Sequence, residues 1–286
     1  MDSLKNLSLK SKRNSVKPSS SENLDLYKFI QIPPTEEIQY TFAIGKYPVT
    51  NAQYERFLNA PDFAEKSFWF DFPKFDDDCV QIGKWGMKEC DNWIQEEVKF
   101  VGHMPRPFYL EDKNFGISDP DNPVVYVSWF EANAYCKWLM YHWGELAESL
   151  ANPDLHVLQI RLPLDFEWSF AAGGEMPENR YPWDKSGNIT KEEKEIVRRA
   201  NVLESRIGHT TPVNAYLRGA SPYGVMDMAG NVWEWQANYQ KMKKGWLCLR
   251  SGSWNGLAMF SHVSARNGFA PIIRDKFIGF RVACLI

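Results

Sequence analysis

The stretch Leu249–Arg281 reads LRSGSWNGLAMFSHVSARNGFAPIIRDKFIGFR. Its two ends look like framework, with a Gly-Ser-Trp turn at Gly252–Trp254 and the start of a strand at Gly279–Arg281. The middle mixes seven large apolar residues with Gly, Ala and Pro and follows neither a helical nor a strand period, which is unusual for a core element. These residues are Leu257, Met259, Phe260, Phe269, Ile272, Ile273 and Phe277.

Composition limits what the rest of the chain can be. The 286 residues are 44% hydrophobic and 15% aromatic, which is enough for a sizeable core. The net charge is −3, so no charge excess favours nucleic acid or a membrane as a partner, and we expect neither. The start of the chain lacks the apolar run of a signal peptide, and no stretch is apolar enough for a membrane helix. We therefore expect a cytoplasmic protein.

The cysteines and acidic residues form no evident metal site. Five Cys are scattered without a CxxC or Cys/His cluster, so we expect buried free thiols in a reducing compartment. The acidic cluster Asp76–Asp78 could bind a cation, but a solvated charge run is the more common case. The five His are dispersed, and the nearest thing to a ligand pair is His142 with Glu145 on one helix.

Helix-start signals organise the order of elements. Residues 1–24 are basic and Ser-rich and predict a disordered tail, with one domain over 25–286. Capping boxes at Thr50/Gln53 and Ser128/Glu131 each predict a helix. A third helix should open at Pro163 and stop at Gly173–Gly174.

Strands and loops complete the predicted order. Apolar runs predict strands at FIQIPP, at YTFAIGKYPV and at Val124–Val127, and Trp233 and Trp235 should share one strand face. Residues 61–122 read as long surface loops with short elements. Because helices and short strands mix without a strict βαβ rhythm, we predict an α+β fold.

Seven blocks of the sequence occur in a familiar order. They are YPVTNAQYERFL, PVVYVSWFEANAYCKWL, RLPLDFEWSFAAGG, YPWD, SPYGVMDMAGNVWEW, LRSGSW and IGFRVA. Together they resemble the signature of the formylglycine-generating enzyme (sulfatase-modifying factor) family and span roughly residues 42–284. The resemblance implies a C-type-lectin-like architecture, with helices around small twisted antiparallel sheets and much ordered loop.

The family contains both enzymes and binding proteins, so function depends on particular residues. The resemblance implies that a copper-dependent oxidase would carry two Cys between the Gly-Ser-Trp turn and the Gly-Phe-Arg strand, and the interval Asn255–Ile278 has none. An iron-dependent sulfoxide synthase would need a His cluster, which the dispersed His do not supply. We therefore expect a protein that is not an enzyme. An oxidase or sulfoxide synthase with unrecognised ligands, and a regulatory domain tethered by its basic tail, remain alternatives.

The variable proteins of diversity-generating retroelements match the C-terminal pattern better. The resemblance implies a fixed framework here of Trp254, Arg266, Asn267, Pro271 and Arg274, closed by Ile278–Arg281. It implies that a segment of about 255–277 carries diversified ligand-binding positions. Those positions are Gly256, Leu257, Met259, Phe260, His262, Ala265, Gly268, Phe269, Ala270, Ile272, Ile273, Asp275, Lys276 and Phe277. The apolar bias favours a protein as the unknown ligand.

Two questions stay open at the level of sequence. The resemblance allows calcium as a cofactor at Asn231, and less readily at Asn201, although a structural turn is the more common role. The seven apolar residues could also be ordinary core, but the run GFAPIIRDKF does not alternate as a core strand should. If they form a binding surface, replacing Phe269, Ile272 and Phe277 by Ser should leave the melting temperature nearly unchanged.

Overall fold

The computed structural model describes residues 28–36, 38–101, 119–149, 155–173, 181–185 and 188–286. The expected tail, residues 1–24, lies outside this part of the chain. The strands are β1 (Phe29–Ile32), β2 (Phe42–Gly45), β3 (Phe72–Phe75), β4 (Gln81–Trp85), β5 (Gln159–Arg161), β6 (Trp233–Tyr239), β7 (Leu247–Arg250), β8 (Asn267–Phe269), β9 (Ile278–Gly279) and β10 (Ala283–Leu285). The helices are α1 (Asn51–Leu58), α2 (Met87–Val101), α3 (Trp129–Tyr141), α4 (Trp143–Ser149), α5 (Asp165–Gly173) and α6 (Glu193–Ile196). Short 3₁₀ helices lie at Lys66–Phe68, Leu203–Ser205, Leu217–Gly219 and Ala258–Ser261.

The strands form two sheets. The first has the order β1-β2-β10-β5, and every neighbouring pair in it is antiparallel. The second has the order β4-β3-β6-β7-β8, with β9 added in parallel to β6. Helices alternate with these short strands without repeated βαβ units, so the α+β prediction is confirmed.

Both predicted capping boxes are present. The Thr50 hydroxyl accepts from the Gln53 amide at the start of α1, and the Ser128 hydroxyl accepts from the Glu131 amide at the start of α3. Each N3 side chain accepts in turn from the backbone amide of its cap. Because these contacts span only three residues, the sequence alone carries the information for them.

Two local predictions are wrong. Val124–Val127 forms no strand, because Tyr126 adopts a left-handed conformation with φ of 58° and the Val124 amide donates to Val49 O in a loop contact. The region 61–122 is more regular than expected, since it holds β3, β4 and the helix Met87–Val101. Burial of Cys90 and Trp93 places one face of that helix against the core.

Aromatic residues dominate the main core. Trp129, Trp235 and Phe280 are fully buried there, and Tyr54 stacks on Tyr135 with ring centroids 5.6 Å apart. Each buried ring removes a large apolar area from water and stabilises the irregular loops packed around it. Within the described residues, no helix combines the length and apolarity needed to cross a membrane.

Candidate ligand-binding surface

The strands that flank the C-terminal segment, residues 255–277, both pair with β6. Arg250, at the end of β7, pairs with Glu234 of β6, and Gly279 of β9 pairs with Glu234 from the other side. Trp233 also pairs with Ile278, and its amide donates to Phe277 O at 2.8 Å. Both ends of the segment are therefore fixed by the second sheet.

Buried charges hold the first half of the segment from below. Arg250 is fully buried and donates to Val263 O at 2.6 Å and to Ala265 O at 3.1 Å. Its guanidinium also binds the carboxylate of Asp165, which is shared with the more exposed Arg266. Burial acts to raise the pKa of Asp165, but the two arginines outweigh it and hold that pKa below its usual value.

The Gly-Ser-Trp turn is shaped by a close approach. Gly252 has a φ of 78°, and a Cβ at this position would lie 2.1 Å from Ser261 Oγ, so only glycine fits. The buried Trp254 donates from Nε1 to Lys276 O at 3.2 Å, and its amide donates to Asn231 O at 3.0 Å. The two ends of the segment are thereby joined to each other as well as to the sheet.

The second half of the segment docks on the start of α3. Arg274 donates from Nε to Glu131 Oε2 at 2.7 Å, and both side chains are almost fully buried. The carbonyl of Pro271 accepts from the Trp129 amide at 3.0 Å. The Asn267 side chain, in β8, accepts from the Gly268 amide at 2.8 Å. The structure thus places each residue of the predicted framework in a defined polar contact.

Five of the seven large apolar residues face solvent. We call them the outer residues, and their exposed fractions are 43% for Leu257, 58% for Met259, 49% for Phe260, 48% for Ile272 and 36% for Ile273. They are not core residues. Proteins seldom expose several large apolar side chains within one short segment unless the surface binds something.

The other two large apolar residues behave differently. Phe269 and Phe277 are half-buried and pack against the main core, and the Phe269 ring lies 5.6 Å from that of Trp246. Their replacement by Ser removes core contacts, so the expectation of an unchanged melting temperature does not hold for these two. Of the three residues in that expectation, only Ile272 is exposed.

The remaining candidate positions are mostly half-buried. This group consists of Gly256, His262, Ala265, Ala270, Asp275 and Lys276. Gly268 departs from it, because it is buried and a Cβ there would lie 2.8 Å from Leu247 O and 2.9 Å from Gln240 Cγ. The structure therefore contradicts a variable side chain at Gly268, since β8 approaches its neighbours too closely.

A second loop, absent from the sequence prediction, joins this surface. The Leu203 amide donates to Gly256 O at 2.9 Å, and the Glu204 carboxylate accepts from the Ala258 amide at 3.0 and 3.1 Å. This contact brings the exposed side chain of Leu203 to the same part of the molecule as Leu257. The contact links residues far apart in the chain, so no local sequence signal could have found it.

The environment of Asn231 does not fit calcium. Its Oδ1 accepts from the Thr211 amide at 3.0 Å, and its Nδ2 donates to Thr211 O at 3.0 Å and to Asp227 Oδ2 at 2.8 Å. Calcium needs six to eight oxygen ligands, typically carboxylates and free carbonyls. The carboxylate of Asp227 accepts from Asn231 Nδ2 and therefore orients the amide of Asn231. Asn231 instead fixes a turn, at a φ of 62°.

The environment of Asn201 does not fit calcium either. Its Oδ1 is buried and has no hydrogen-bond partner within the described residues. However, Glu204, the acid of the following loop, directs its carboxylate to the Ala258 amide instead. We derive no calcium-dependent step for this protein.

The thiols and histidines form no three-ligand metal site within the part of the chain that the structure describes. All five Cys are free, and four are buried, including Cys248 in β7 and Cys284 in β10. His142 binds Asp62 at 2.8 Å and lies 3.7 Å from Glu145. Across the described ranges, no three His, Cys, Asp or Glu side chains converge as metal ligands. His103 lies outside those ranges.

Comparison with known proteins places this architecture among relatives with different activities. Residues 15–286 match the family model described as "Sulfatase-modifying factor enzyme 1-like domain". The chain is 29% identical to the inactive Cα-formylglycine-generating enzyme 2 of Mus musculus over 262 residues, covering 88% of this chain and 77% of that protein. It is 27% identical to the hercynine oxygenase of Mycolicibacterium thermoresistibile, covering 85% of this chain but only 50% of that enzyme.

A solved structure shares the fold at lower sequence identity. Treponema denticola variable protein 1 superposes with a TM-score of 0.51 at 19% identity, covering 91% of this chain and 92% of that one. At this identity the likeness concerns the fold alone. With the family match, it confirms the predicted fold of the formylglycine-generating enzyme type.

Proposed function

Because this chain belongs to the family of sulfatase-modifying factor enzyme 1-like domains, we propose that it is a non-catalytic ligand-binding protein whose C-terminal segment is a diversified binding surface. One observation carries the proposal. The segment exposes five large apolar side chains, while Arg250 beneath it and its framework residue Arg274 have buried side chains. In a segment that only stabilised the fold, the apolar residues would be buried and the charges exposed.

The physical chemistry of the outer residues favours a protein as the ligand. Burying one such side chain completely contributes roughly 1.5–3 kcal/mol, and Phe260 supplies an aromatic anchor of the kind enriched in binding hot spots. A sugar or nucleotide would instead need many hydrogen-bond donors and acceptors. The anchored backbone also reduces the ordering entropy lost on binding.

Diversification requires that side chains change without loss of the loop shape. The framework contacts meet this requirement, because the hydrogen bonds of Arg250 and Pro271 on the segment involve backbone carbonyls that any residue supplies. Gly268 is excluded from the diversified set for the steric reason given above.

Sequencing the DNA that flanks the gene tests the proposal. We expect a near-copy of the codons for Leu249–Arg281 that differs at adenines, next to a reverse transcriptase gene. The differences should fall on the outer residues and spare Arg250, Gly268 and Arg274. If neither feature is found, the surface is not diversified.

An oxidase or oxygenase is the second candidate, and the similarity to hercynine oxygenase favours it. The two functions differ in metal content. Stoichiometric copper or iron in the purified protein, together with oxygen consumption on a thiol substrate, would support the enzyme. A purely binding protein should show neither.

A further inference from the structure

A basic pocket lies beside the proposed binding surface without sharing its residues. Trp183 forms part of its wall, and the pocket has a volume of about 450 Å³. The Trp183 ring stacks on Tyr181 with centroids 5.0 Å apart, and Tyr181 Oη donates to Ala258 O at 3.3 Å. The pocket therefore neighbours the 3₁₀ helix Ala258–Ser261, but none of the predicted variable positions lines it.

Three basic side chains line the pocket with little compensating charge. They are Lys185, Arg199 and Arg218. Arg199 binds Glu195 at 3.0 Å, but the other oxygen of Glu195 binds Arg198 at 2.8 Å. Within the described residues, neither Lys185 nor Arg218 makes an ion pair. The pocket thus holds an excess of positive charge.

Backbone packing fixes the two arginines next to each other. Gly219, which follows Arg218, is packed so closely on Arg199 that a Cβ would lie 2.0 Å from Arg199 O. Two like charges held on adjacent backbones repel each other unless an anion lies between them. The contact fixes the backbones of the two residues close together, and both of their side chains line the pocket.

Asp184, the one acid among the described residues that line the pocket, forms no ion pair with these cations. Asp184 is buried, and its Oδ1 accepts from the Thr190 amide at 3.0 Å and from the Thr190 hydroxyl at 2.6 Å. Its Oδ2 accepts from the Tyr181 amide at 3.1 Å. Thr190 also accepts from Trp183 Nε1 at 3.1 Å, which fixes the indole. The acid thus organises the wall, and the cations remain available.

We propose that this pocket binds a small organic anion, a phosphate or carboxylate carried on a planar ring. The guanidinium groups of Arg199 and Arg218 suit bidentate contact with either anion, and Trp183 supplies an apolar wall for the ring. The volume lies in the range of small-molecule sites. Because the lining residues differ from the outer residues, this site can exist whether or not the C-terminal segment is diversified.

Calorimetric titration of the full chain tests the site. The probes are adenosine monophosphate, adenosine, phenyl phosphate, benzoate and inorganic phosphate at millimolar concentrations. We expect saturable binding of adenosine monophosphate or benzoate, weaker binding of phosphate and none of adenosine. Phenyl phosphate carries the same ring as benzoate, so its preference over benzoate would identify phosphate as the anion, and the reverse preference would identify carboxylate.

Matched variants separate a built site from general charge attraction. Arg218→Gln should weaken binding roughly tenfold or more, the loss expected for one charge-assisted contact. Arg206→Gln removes an exposed arginine that does not line the pocket and should leave the affinity unchanged. An equal loss in both variants, or no saturable binding of any ring-bearing anion, would overturn the proposal.

Discussion

The outer residues and the layer beneath them reverse the usual distribution of side chains. Leu257, Met259, Phe260, Ile272 and Ile273 face water, whereas Arg250 and Arg274 are buried against carboxylates. Directional polar contacts therefore hold the shape of the segment together with the packing of Phe269 and Phe277 on the core, and the outer residues contribute little to it. This comparison shows that the residues that fix the shape of a loop can be different from the residues that the loop exposes to a ligand.

The largest effect should come from the anchoring layer. Arg274→Met leaves the buried carboxylate of Glu131 without its cation and should lower the free energy of unfolding by about 3–5 kcal/mol. Chemical denaturation measures this change. Arg266→Met is the control, because its half-exposed ion pair should contribute at most about 1 kcal/mol. Equal effects of the two variants would mean that burial does not distinguish anchors from surface charges.

A pair of phenylalanines from the same segment sharpens the comparison. Phe277→Ala should destabilise the protein by roughly 1.5–2.5 kcal/mol, about half the usual cost for a fully buried Phe, because Phe277 packs partly on the core. Phe260→Ala should change stability by at most about 0.5 kcal/mol, since this ring is exposed. Thermal unfolding of both variants measures the two losses of stability. A larger loss in Phe260→Ala than in Phe277→Ala would contradict the assignment of Phe260 to the exposed surface and Phe277 to the core.

The stability of the protein should also depend on pH through the buried Asp227. Burial raises the pKa of Asp227 from 3.8 to about 7, so the folded protein keeps a proton that the unfolded chain releases. Stability from this group is therefore fully present below about pH 4 and is lost as the pH rises to about 7, at up to roughly 1.4 kcal/mol per pKa unit.

Denaturation of Asp227→Asn at several pH values isolates this contribution. The variant keeps an acceptor for Asn231 but cannot titrate, so it should lose less stability than the parent between pH 4 and 7. Parallel curves for the two proteins would show that the pKa of Asp227 is the same in the folded and unfolded states.

The smallest effect should come from the outer residues themselves. Ser at Leu257, Met259 or Ile272 should each change the free energy of unfolding by no more than about 0.5 kcal/mol, because these side chains make few core contacts. The melting temperature of the triple variant checks this directly. A drop comparable with that of Phe277→Ala would return these residues to the core and remove the basis for a binding surface.

Local chemistry explains which parts of the fold could be read from the sequence. The capping boxes at Thr50 and Ser128 involve residues three apart, so their signal survives without tertiary structure. The run Val124–Val127 has the composition of a strand, but its amides bind distant loops at Val49 and Asp275. Propensity failed there because tertiary contacts decided the backbone conformation.

The candidate surface likewise combines features that the sequence predicts with features that depend on tertiary packing. The lack of periodicity around Phe260 and Ile272 correctly indicated residues outside the core. The same argument could not separate Phe269 from them, because its burial depends on packing against Trp246 across the sheet. The loop at Leu203 contributes through contacts with a segment more than fifty residues away, which no local pattern encodes.

The pairing of Arg250 and Gly279 with opposite sides of Glu234 also has a consequence for length. A loop whose two ends are both fixed on one strand loses little entropy when residues are added, about 0.6 kcal/mol for each doubling. The backbone outside β8 could therefore grow or shrink near Gly256 or Ala270 without disturbing the sheet. Related chains could therefore differ in the length of these loops as well as in their side chains. A foreign peptide inserted at either position would still be anchored at both ends by the second sheet.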